Sequence, residues 1–68
     1  MKPNTFCTDR TSEVYSNLED AAKVCSLDDR CHWIVDSICG GFHFQICSPA
    51  GSLDTTSGGS CVHVKGNY

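Results

Sequence analysis

Apolar residues recur along this chain with two different periods. Leu18, Ala21, Ala22 and Cys25 fall at i, i+3, i+4 and i+7, which is one stripe of an amphipathic helix. Ser16 followed three residues later by Glu19 forms a capping box, in which both side chains satisfy backbone donors orphaned at a helix start. Glu19 and Lys23 stand four apart in the favourable order for an ion pair worth ~0.3 kcal/mol. The alanines are small enough to let another layer approach closely. The helix is therefore expected to lie on a sheet, with Cys25 aimed into it.

After the helix the period changes to two. Trp33, Ile34, Val35 and Ile38 make a β-branched and aromatic run, Gly40 and Gly41 a turn, and Phe42 to Cys47 an alternation of apolar and polar residues. This reads as a hairpin. Strict alternation sets Cys47 with Gln45 and His43, opposite Phe42, Phe44 and Ile46. Either both faces of the hairpin are covered, or a bulge near Ile46 re-aims the cysteine.

The flanks are less patterned. Asn4 to Thr8 reads as a short edge strand bearing Cys7, and Asp9 to Glu13 as a polar loop leading to Val14 and Tyr15. Ser26 to Arg30 is a polar connector. Ser48 to Ser60, rich in Ser, Gly and Thr, reads as a mobile exposed loop. Cys61 to Lys65 alternates again, with Cys61, His63 and Lys65 on one face and Val62 and Val64 on the other. A closing strand is expected there.

Length and composition add the cross-links. A chain of 68 residues makes one domain, 1–68, and buries too small a fraction of its surface to be comfortable on a hydrophobic core alone. Six cysteines without any C-x-x-C metal spacing read as three disulfides formed in an oxidising compartment. The expected fold class is α+β: a small disulfide-rich domain with one α-helix packed on an antiparallel β-sheet. Met1 to Arg10 has no apolar signal core, so a mature secreted domain is expected, its leader removed. No run reaches the ~20 apolar residues of a membrane span. The net charge of −3 and the scattered five Lys and Arg argue against a nucleic-acid or membrane-lytic surface.

Candidate chemistry is sparse. His32, His43 and His63 lie on expected strands, but a zinc site would need them to converge. Asp28 and Asp29 lack the ordered ligand series of a calcium loop and read as a solvated turn. No G-x-S-x-G nucleophile motif occurs, and paired cysteines are not nucleophiles. The chain is thus expected to be a non-enzyme without metal or other cofactor. Trp33, Tyr15, Phe42 and Phe44 can serve as core or as a stacking surface, and a domain this small needs its large apolar residues inside.

The run from Ser16 to Cys25, then Cys31-His32-Trp33-Ile34, Cys39, Phe44-Gln45-Ile46-Cys47 and Ser60 to Lys65, resembles the apple, or PAN, module family. The resemblance covers nearly the whole chain. It implies one helix cradled by an antiparallel sheet and a nested pairing of Cys7 with Cys61, Cys25 with Cys47 and Cys31 with Cys39. Sequence alone leaves fifteen connectivities open. The family binds proteins or carbohydrates outside cells and has no fixed set of binding residues, so no site is carried over.

The expected function is a secreted, non-enzymatic binding module for an extracellular protein or glycan, monomeric, with no nucleic-acid partner. Trp33 and Tyr15 are the candidates for stacking on a glycan, and His63 and Lys65, beside the 48–60 loop, for meeting a protein. The alternative is a stand-alone secreted effector, such as a venom toxin or host-defence peptide.

Overall fold

A computed structural model describes residues 2–56 and 58–66; Met1, Ser57 within the 48–60 loop, Asn67 and Tyr68 lie outside the described residues. The elements in chain order are β1 (Lys2–Pro3), β2 (Thr5–Cys7), α1 (Leu18–Leu27), β3 (Trp33–Asp36), β4 (Phe44–Ile46), β5 (Leu53–Thr55) and β6 (Cys61–Val64). An antiparallel sheet in the order β1-β6-β3-β4 carries the helix, and β2 with β5 forms a second, two-stranded sheet. This is the small disulfide-rich α+β domain that the two periodicities predict.

Ala21 and Cys25 of the helix stripe are fully buried, and Leu18 and Ala22 pack at its margin. The helix starts one residue later than the Ser16–Glu19 box implies. Asn17, in extended backbone, accepts the Asp20 N–H at 2.8 Å, and its own amide donates to the Asp20 carboxylate at 3.2 Å. Asn17 therefore takes the N-cap position, satisfying the Asp20 N–H, and Ser16 lies outside the cap. Glu19 and Lys23 do not pair: Arg30–Asp28, at 3.7 Å, is the one ion pair among the described residues.

The hairpin forms with Ile34 opposite Ile46, Val35 opposite Gln45 and Asp36 opposite Phe44. Its connection is longer than a Gly40–Gly41 turn and is built on Asp36, a residue the hydrophobic pattern passes over. The buried Asp36 carboxylate accepts the Gly41 N–H at 2.8 Å, and its carbonyl accepts Cys39 N–H and the Ser60 hydroxyl. Ile38 and Phe42, beyond the paired residues, are therefore left exposed at the tip.

Both faces of the sheet are covered, which resolves the conflict at Cys47 without a bulge in β4. Ile34, Phe44 and Ile46 meet the helix; Val35, Val62 and Cys47 meet Cys7 on the other side. Asn4, with φ of 52°, turns the chain from β1 into β2, a conformation asparagine tolerates better than most residues. The segment 48–60 is not simply a loop. Its β5 pairs with β2 through Thr5–Thr55, Phe6–Asp54 and Cys7–Leu53. Gly51 fits so closely that a Cβ there would sit 2.7 Å from the Cys7 sulfur and 2.6 Å from the Asp9 carbonyl oxygen. β6 likewise lies inside the sheet, between β1 and β3, rather than closing it.

All six cysteines are paired, but as Cys7–Cys47, Cys25–Cys31 and Cys39–Cys61. The nested set is corrected on all three counts, and the sheet explains why. Cys25 does point into the sheet from the helix side, whereas Cys47 points away on the opposite face, toward Cys7. Cys31 and Cys39 lie beyond opposite ends of β3. After the helix, Asp28 N–H to Cys25 and Cys31 N–H to Asp28 wind two tight turns that bring Cys31 back to Cys25. Cys39, folded over by its bond to Asp36 and in the left-handed region at φ 56°, meets Cys61, the cross-strand neighbour of Asp36. Three disulfides of this kind do not identify an apple module.

Candidate functional site

β4 would be an open sheet edge if the polar segment after β2 did not cover it. Arg10 bridges to Cys47 and Tyr15 to Phe44, with main-chain bonds from Thr11 to Ile46 at 2.9 Å and between Tyr15 and Phe44 at 2.7 and 2.8 Å. Between these two bridges, residues 11–14 run opposite only 45–46, so the covering segment carries a bulge. Such bulges bend a strand away from its partner and re-aim its side chains. Here the bulge stands off from the helix and leaves an open depression of about 330 Å³, lined by Thr11, Ser12, Glu13, Tyr15, Val24, Asp28 and Ile46.

Tyr15 is half-buried at this depression, and its hydroxyl donates to Glu13 Oε2 at 2.9 Å. That bond, reinforced by burial, holds the phenol above its ordinary pKa. The floor is apolar, from Ile46 and Val24, and the exposed Leu27 follows Val24 one turn along the helix. At the far edge Asp28 receives Lys65 Nζ on its carbonyl at 2.8 Å, while Arg30 approaches its carboxylate.

The sequence candidates therefore separate. Tyr15 lines the depression, Lys65 reaches its edge through Asp28, and His63 lies behind it, its ring 5.9 Å from that of Phe44. Trp33 is on the other face of the sheet, half-buried against the Cys7–Cys47 cluster and edge-on to His32 at 5.7 Å. Among the described residues no three His, Cys, Asp or Glu side chains gather as metal ligands, so His32, His43 and His63 do not form a zinc set. Among those residues, too, no helix is long and apolar enough to cross a membrane. Glu13, Val24 and the bulge itself were not legible as a site, because they become neighbours only when the 10–15 segment lies on β4.

Burial lowers the pKa of His63, with the Asp36 carboxylate acting in the opposite sense. The folded state therefore binds its proton less readily than the unfolded chain. The stabilising contribution is complete above the ordinary histidine value of about 6.5 and is lost as pH falls from there through the lower folded value. Thermal melts between about pH 7.5 and 5 should show His63→Gln losing less stability on acidification than the unaltered protein; parallel losses would exclude His63 as the source. A scan against protein-family models found no match, and searches of curated proteins and of solved structures likewise found none.

Proposed function

We propose that this chain is a secreted, non-enzymatic binding module that recognises an extracellular protein or carbohydrate partner. The observation that carries the reading is the bulged segment 11–14, which opens a mainly apolar depression with a polar rim beside Tyr15 on an otherwise tightly cross-linked scaffold. A rigid frame presenting an irregular segment is how binding residues are commonly positioned. Three disulfides, two of them with both cysteines fully buried, suit an oxidising extracellular setting. The apple resemblance adds little here, since the pairing it implied is absent.

The test is a binding screen of the oxidised protein on glycan and extracellular-protein arrays, repeated with a chelator. Tyr15→Ala is expected to weaken binding while the protein stays folded. Trp33→Ala is expected to lower stability more than affinity. Loss of binding on chelation, or turnover of a substrate that a reduced, unfolded sample leaves intact, would overturn the reading.

A further inference from the structure

We infer that the depression beside Tyr15 takes a short segment of a partner protein, one that presents an aliphatic side chain next to a Lys or Arg; the inference rests on the binding-module reading above. Three features converge on this occupant. Val24, which lines the depression with Ile46, is followed one helical turn on by Leu27, 84% exposed, so an aliphatic ridge runs outward along the helix from the lining. A ridge of this kind matches an aliphatic side chain better than a sugar, which stacks on flat aromatic faces and hydrogen-bonds its hydroxyls. Of the lining residues two are acidic and none basic. At the Asp28 edge two cations are already in place, Arg30 at its carboxylate and Lys65 on its carbonyl, so Glu13, whose Oε1 has no partner among the described residues, is the carboxylate open to a cation. Finally, the peptide N–H groups of Ser12, Glu13 and Val14 have no hydrogen-bond partner among the described residues, since the bulge lifts them off β4. They can pair with an extended main chain, as in strand-type peptide recognition.

The other exposed apolar pair, Ile38 and Phe42 at the hairpin tip, has a cation beside it instead: Arg10 donates to the hydroxyl of Ser37, next to Ile38, at 3.3 Å. It serves as the internal comparison. The experiment selects peptides from a random displayed library on the immobilised, oxidised protein, alongside a glycan array. Enriched peptides are then synthesised and titrated into isotope-labelled protein. The expected result is enrichment of Lys or Arg next to Leu, Ile or Val, with amide shifts confined to residues 11–15 and 24–28 and to Ile46 beneath them. Leu27→Ser is expected to weaken binding about tenfold and Glu13→Gln roughly threefold, whereas Phe42→Ser leaves it unchanged. Peptides that are acidic, or that shift the 38–42 tip instead, would overturn the inference and leave the binding-module reading standing. So would binding to glycans alone. Failure of both library and array would overturn the two together.

Discussion

Replacing Cys7 and Cys47 together by alanine is expected to leave the protein largely unfolded at about 37 °C, a loss near 4 kcal/mol in the chain-entropy description. The two residues are 40 apart in sequence, the widest separation of the three bridges, against 22 for Cys39–Cys61 and 6 for Cys25–Cys31. The same description gives roughly 3.4 and 2.3 kcal/mol for those two. Packing points the same way as chain entropy. Cys7 and Cys47 are both buried at the centre of the cluster that joins the β2–β5 pair to the back of the main sheet, with Val35 and Val62 around them. Gly51 rests against the Cys7 sulfur, so losing the bridge also loosens the 48–60 segment. Denaturant titrations of the three double Cys→Ala variants should rank them in the order of loop length. If the Cys25/Cys31 variant were the least stable, neither loop length nor the burial of the Cys7–Cys47 bridge would set the ranking.

What was legible in the sequence was whatever depends on near neighbours. The stripe of Leu18, Ala21, Ala22 and Cys25 and the alternation from Phe42 to Cys47 each report a local period, and both elements form with the expected faces buried, except that the strand starts at Phe44 and leaves Phe42 exposed. Even the awkward placement of Cys47 was correct as a statement about its face. The error came with the apple resemblance, which implies pairing Cys47 with Cys25, although the two meet opposite sides of the sheet. The same holds for β5. Leu53, Asp54 and Thr55 carry little strand signal of their own, and they become a strand because β2 offers them an edge. Asp36 and the bulge at 11–14 escaped for a related reason. A lone carboxylate inside an apolar run reads as an interruption until the turn it holds has formed, and a polar stretch such as Thr11-Ser12-Glu13 has no period at all. The depression beside Tyr15 is thus a product of tertiary register, and only its aromatic could be picked out beforehand.

The helix-side layer should be most sensitive at Ile34. Helix α1 contributes only the small Ala21 and Cys25 to the fully buried set, so the volume beneath it must come from Ile34, Phe44 and Ile46 of the sheet. Ile34 sits at the middle of this layer, on a central strand, with His63 and Ile46 as its cross-strand neighbours, and none of its surface is exposed. Ile34→Ala would open a cavity that the flanking strands, each tied by a disulfide close by, have little freedom to close. A loss of about 3 kcal/mol is expected, against about 1 kcal/mol for Ile34→Val, which removes a single methyl group. For a domain of this length the first figure is a large share of a total stability of roughly 3 to 10 kcal/mol. Amide exchange offers a second readout. In Ile34→Ala the helix amides should exchange much faster than in the Val variant, while those of the β2–β5 pair, supported from the opposite face by Val35 and Val62, change less. Equal losses for the two substitutions, or acceleration confined to β2 and β5, would show that the helix does not depend on this residue for its seat.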